Sequence, residues 1–149
     1  MEARLNPYKL APGAYQALSA MQKYVGECGL EPALMELVKT RASQINGCAF
    51  CLAMHTRDAR KAGESEQRLY LLDAWREAPL YSARERAALA WTEAVTLVAN
   101  GHVPDSIFAE ARREFSETEL VNLTMAVIAI NGWNRMAIAF RAQPQIASP

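Results

Sequence analysis

No stretch of this chain alternates apolar and polar residues over a strand's length, whereas apolar side chains recur at helical spacing in seven successive segments. A sheet of any size would contradict that pattern, so the expected fold is all-α, a compact domain of about seven helices. Ser82-Ala-Arg-Glu85 and Ser116-Glu-Thr-Glu119 are capping boxes, in which serine and glutamate each satisfy an orphan backbone donor at a helix start. The first predicts a helix reaching Asn100-Gly101 with Ala88, Trp91, Val95 and Val98 inward. The second predicts a helix from Leu120 through Val127 to about Phe140, and a shorter one over 105–115 lies between them.

Earlier in the chain, an extended arm precedes a helix that starts after Pro12-Gly13, aligns Leu18, Met21 and Val25, and stops near Gly26. Pro32 suits the first turn of a second helix, where its missing N–H would be unpaired anyway, and Asn46-Gly47 ends it. A third helix over 48–62 closes at Gly63, so the second and third form a hairpin. Ser65 caps a fourth through Leu69, Leu72 and Trp75 to Ala78, where Pro79 prevents continuation. With no linker or repeat, residues 1–149 read as one domain, large enough to need no disulfide staples.

Sixteen basic residues balance sixteen acidic ones without a basic block, which excludes the electrostatic footprint of a nucleic-acid or anionic-membrane binder. The start Met-Glu-Ala-Arg-Leu-Asn-Pro interrupts any signal peptide, and runs such as Ala126-Val-Ile-Ala-Ile130 are far shorter than the ~20 apolar residues a membrane helix needs. The expected location is cytoplasmic. Three cysteines in a reducing compartment then point to a metal site or a reactive pair rather than a structural disulfide framework, with Cys28 left over.

Cys48, Cys51 and His55 are separated by three, four and seven positions, which places them on one helix face. Cys48 lies at the amino end, where unpaired N–H groups stabilise a thiolate, and His55 can take or give a proton near neutral pH. A reversal at Asn46-Gly47 would bring Glu36 level with residues 55–58, within reach of a hydrogen bond to His55. The expected line is Glu36, His55, Cys51, Cys48, from relay to dithiol.

With a glutamate, a Cys-x-x-Cys pair and a histidine at this spacing, the segment from Glu36 to Gly63 resembles the alkyl hydroperoxidase D type of the carboxymuconolactone decarboxylase superfamily. The resemblance implies an antioxidant peroxidase that needs no cofactor or metal, with Cys51, Cys48, His55 and Glu36 as catalytic residues. Cys51 would be oxidised to a sulfenic acid by a hydroperoxide, and Cys48 would resolve it to a disulfide. A dithiol donor such as a lipoyl-bearing or thioredoxin-like protein would restore the thiols, and the protein would assemble as a homo-oligomer, a trimer or hexamer. From the residues alone the two cysteine roles are exchangeable, because the helix terminus favours ionisation of Cys48 and proximity to His55 favours Cys51. Phe50 stands where the best-known members of the family carry a histidine, and it cannot pass a proton; a protein disulfide reductase is therefore a second reading.

Other readings compete. Cys48, Cys51 and His55 could hold zinc with a fourth ligand from Cys28 or His102, and a decarboxylase-type enzyme would use the histidine and leave the thiols idle. Leu52 follows the second cysteine directly, which rules out c-type haem attachment. Ser43 and Asn46 read as structural, Cys28 as an apolar filler at a helix end, His102 as a solvated turn residue, and the tryptophans and methionines as core. Phe50 and Met54 flank the dithiol on its own helix.

Overall fold

Prolines and polar caps set the helix starts. The computed structural model describes residues 2–144. Pro7, Pro12 and Pro32 open α1 (Pro7–Leu10), α2 (Pro12–Glu27) and α3 (Pro32–Asn46); Cys48 and Ser65 cap α4 (Ala49–Lys61) and α5 (Glu66–Tyr70). Ser82 caps α6 (Ala83–Thr96), α7 (Asp105–Glu114) follows Pro104, and Ser116 caps α8 (Glu117–Phe140). Both expected capping boxes form, with serine side chain and glutamate side chain each accepting the other's backbone N–H. No strand occurs among the described residues.

Several expectations need correction. The arm is not wholly extended: Asn6 accepts the N–H groups of Tyr8 and Lys9 and nucleates the single turn of α1. The fourth expected helix breaks after Tyr70 into a 3₁₀ turn, Leu72–Ala74. Its buried residues Leu69, Leu72, Trp75 and Ala78 recur every three positions, which matches a 3₁₀ turn better than the 3.6 residues of an α-helix. The helix opened by Ser82 stops at Thr96 rather than at Asn100-Gly101, and Val98, expected inward, is 47% exposed. By that point the chain has run past the edge of the core.

α8 forms the centre, packed by α2, α3 and α6, while α3 also packs on α4 and α7 lies on α6. Leu120, Leu123, Val127 and Ile130 of α8 are buried with Leu34, Val38, Ala88 and Trp91. At 24 residues α8 is long and apolar enough, by length and composition, to cross a membrane, contrary to the expectation from the short apolar runs. Of its most apolar window 39% is buried in the core, while Val121, Ile128 and Ile138 are exposed.

The α3–α4 hairpin positions the site. Gly47 adopts the left-handed conformation (φ 67°, ψ 33°), and the Cys48 N–H bonds back to the Ser43 carbonyl at 3.0 Å. A Cβ at Gly47 would cost about 1 kcal/mol in that conformation. The sharp turn leaves Cys48 extended at the N-cap of α4, with Cys51 three residues on.

Candidate active site

Cys48 takes the place of the usual serine or aspartate at the head of α4, so its sulfur accepts the Cys51 backbone N–H at 3.4 Å. Both sulfur-bearing residues are free thiols and only 1% exposed. The Cys51 thiol donates to Cys48, and that bond, opposed by burial and aided by the Cys51 N–H, the Asn134 side chain and the Phe50 N–H, lowers Cys48 to about 7. Cys51 moves upward because its proton is held by Cys48, because it is buried and because a second charge beside Cys48 is disfavoured. Cys48 is therefore the first of the two thiols to ionise, and the Cys51 proton is then held between the sulfurs.

One helical turn beyond Cys51, buried His55 donates from Nδ1 to Glu36 Oε2 at 2.9 Å, closing the expected link across the hairpin. The Glu36 carboxylate also pairs with Lys39 at 2.8 Å. Burial pushes Glu36 up, but the bonds from His55 and Lys39 outweigh it and hold the carboxyl below its usual range. With Nδ1 committed to Glu36, neutral His55 keeps Nε2 as its basic nitrogen. The hairpin thus gathers Glu36, Cys48, Cys51 and His55. Among the described residues no hydrogen bond joins His55 directly to either sulfur.

Two neighbours were not foreseen from the sequence. Asn134 on α8 is fully buried, accepts the Asn46 side-chain amide at 2.8 Å and donates to Ser43 Oγ at 3.1 Å. It lowers both thiols, and a polar chain continues from Asn46 to Asn131 and Thr96. The available signal was a pair of asparagines, 131 and 134, just after the apolar run 125–130 of α8. Ser43 and Asn46 thereby have the structural part expected of them. The second neighbour is Tyr8 of α1, whose phenol is raised by burial and by the charges of Cys51, Tyr15 and Cys48. It rests against Tyr15 and Trp133, with ring centroids 5.0 and 6.3 Å away. Nothing local in the sequence marks it.

Phe50 and Ala142 pack against the cluster formed by Cys48, Cys51 and Ala137. Cys28 caps the carboxyl end of α2 and donates to the Val25 carbonyl, while Trp75 and Trp91 lie in the core, away from the dithiol. Among the described residues no group of three or more His, Cys, Asp or Glu side chains is arranged to hold a metal.

Iodoacetamide alkylation of the reduced protein should rise with pH through a midpoint near 7, with the label on Cys48. Because Asn134 stabilises the thiolate, Asn134→Ala should move that midpoint upward; an unmoved midpoint would deny the asparagine this part.

Residues 12–94 match the model of the carboxymuconolactone decarboxylase family. The uncharacterized protein YdfG of Bacillus subtilis is 43% identical over 93% of this chain and 95% of its own length. A crystal structure from Agrobacterium tumefaciens, of a protein of unknown function named as a candidate AhpD antioxidant defence protein, superimposes with a TM-score of 0.95 at 45% identity, covering 98% of this chain and all of that one (100%). An uncharacterized peroxidase-related protein from Silicibacter sp. TM1040 gives a TM-score of 0.77 at 25% identity over 87% of this chain and 69% of that one.

Proposed function

This chain belongs to the carboxymuconolactone decarboxylase family and has an AhpD-like fold, and we propose that it is a cytoplasmic antioxidant peroxidase reducing hydroperoxides through a Cys48–Cys51 dithiol–disulfide cycle. The observation that carries this reading is the dithiol at a helix start, with Cys48 the more readily ionised thiol, in the same hairpin as the Glu36–His55 pair. A structural thiol pair has no need of a lowered ionisation or of a buried base beside it.

In the cycle, the sulfur of Cys51 attacks the terminal peroxide oxygen as its proton leaves, the O–O bond breaks, and the alcohol departs after taking up a proton. Cys51 is then a sulfenic acid. Cys48 attacks that sulfur, forming the disulfide and releasing water. His55, oriented by Glu36, accepts the thiol proton and returns it to the leaving oxygen. An external dithiol donor, of the lipoyl-bearing or thioredoxin-like kind, reduces the disulfide, and the protein works as a homo-oligomer. A decarboxylase-type role would leave the lowered Cys48 without a use.

Adding one equivalent of hydroperoxide to the reduced protein should consume two thiols and yield a Cys48–Cys51 linked peptide by mass spectrometry, with Cys28 still free. Loss of no thiol, or oxidation confined to Cys28, would refute the cycle.

A further inference from the structure

The arm that precedes α2 folds back over the end of α8. The Arg4 N–H bonds to the Phe140 carbonyl at 3.1 Å, and its guanidinium bonds to the Ala139 carbonyl at 2.9 Å. Between arm and helix lies a pocket of about 330 Å³. Leu5, Pro7 and Tyr8 form one side, Met136, Phe140 and Ala142 the other, and no wall residue is charged.

Two wall residues of the pocket belong to the surroundings of the dithiol, although neither cysteine lines it. Ala142 packs directly on the cluster containing both cysteines, and Tyr8 lies near enough for its phenol to respond to both sulfurs. Two cavities border Glu36, one lined also by Lys39 and Asp58 beside Leu30 and Met35, the other by Glu64, Arg68 and Glu85, so both carry charged groups that the arm pocket lacks. The two sides of the hairpin thus offer distinct surroundings: charged groups around the carboxylate of the relay, apolar walls near the sulfurs.

We propose that the pocket beneath the amino-terminal arm seats the organic group of the hydroperoxide, and that Leu5, Met136 and Phe140 determine which hydroperoxides react fast. The inference rests on the peroxidase reading and adds the place and the residues of selectivity. An apolar cavity of roughly 150 Å³ already accommodates benzene, so this one has room for an aryl or branched alkyl group with its peroxide end directed past Tyr8 and Ala142. Hydrogen peroxide has no apolar surface to bury there and gains nothing from these walls.

The test isolates the oxidative half of the cycle, with no electron donor present. Reduced protein is mixed with cumene hydroperoxide or with hydrogen peroxide, and the second-order rate of thiol loss is measured. The wild type should react at least about tenfold faster with cumene hydroperoxide, and Leu5→Trp and Met136→Trp should each remove about tenfold of that rate while leaving the hydrogen peroxide rate within about twofold, the scale on which pocket filling discriminates substrates. Leu5 is 45% exposed on the arm, so filling the pocket from that side leaves the core intact, and a melting curve checks both variants. Equal wild-type rates with the two peroxides, or substitutions that slow both alike, would overturn the assignment of the pocket while the peroxidase reading stands. A wild-type dithiol oxidised by neither peroxide would overturn that reading and the pocket with it.

Discussion

Cys48→Ser and Cys51→Ser should each abolish catalytic peroxide turnover, by on the order of a thousandfold or more, the range seen when a covalent nucleophile is removed. The cycle needs both sulfurs, one to accept oxygen and one to displace it, so neither variant should retain a partial rate. The two substitutions nevertheless leave different species. In Cys48→Ser the remaining Cys51 has no resolving partner, and its sulfenic acid should be trapped by a 1,3-diketone reagent. Exclusive trapping at Cys48 in Cys51→Ser would exchange the two roles while preserving the cycle. The easier ionisation of Cys48 makes this a real contest, because Cys51 must first lose the proton it holds against Cys48. Persistent turnover in either variant, measured by peroxide consumption against a supplied dithiol, would remove the cycle altogether.

The second large effect concerns the relay. His55→Ala should lower kcat/KM by about 100-fold, the lower end of what a positioned general base supplies. Glu36→Gln should cost less, about tenfold, since it keeps a hydrogen-bonding group beside Nδ1 but withdraws the charge. The double variant decides whether the two act as one unit. If Glu36 works through His55 across the 2.9 Å contact, the double variant should be no slower than His55→Ala alone, whereas independent contributions would multiply. Stability must be followed in parallel, because Glu36→Gln also weakens the pair with Lys39.

How much of this was legible beforehand follows from the range over which each signal acts. The capping boxes at Ser82 and Ser116, the helix start at Pro32 and the reversal at Gly47 are local, and all appear where the residues announce them. The approach of Glu36 to His55 was legible too, since a tight hairpin between two helices fixes which positions lie level. The break after Tyr70 was misjudged because a spacing of three was read as helical, although it departs from 3.6. Asn134 and Tyr8 lay beyond reach for a different reason. Asn134 meets Ser43 across 91 residues and the arm meets Phe140 from the opposite end of the chain, so their part in the site exists only once α8 is in place. Local patterning cannot report such contacts.

With only 1% of either cysteine open to solvent, electron delivery is a steric problem as well as a chemical one. In the proposed cycle, a reductant has to reach these sulfurs close to where Arg4 fastens the arm to Phe140 and Ala139.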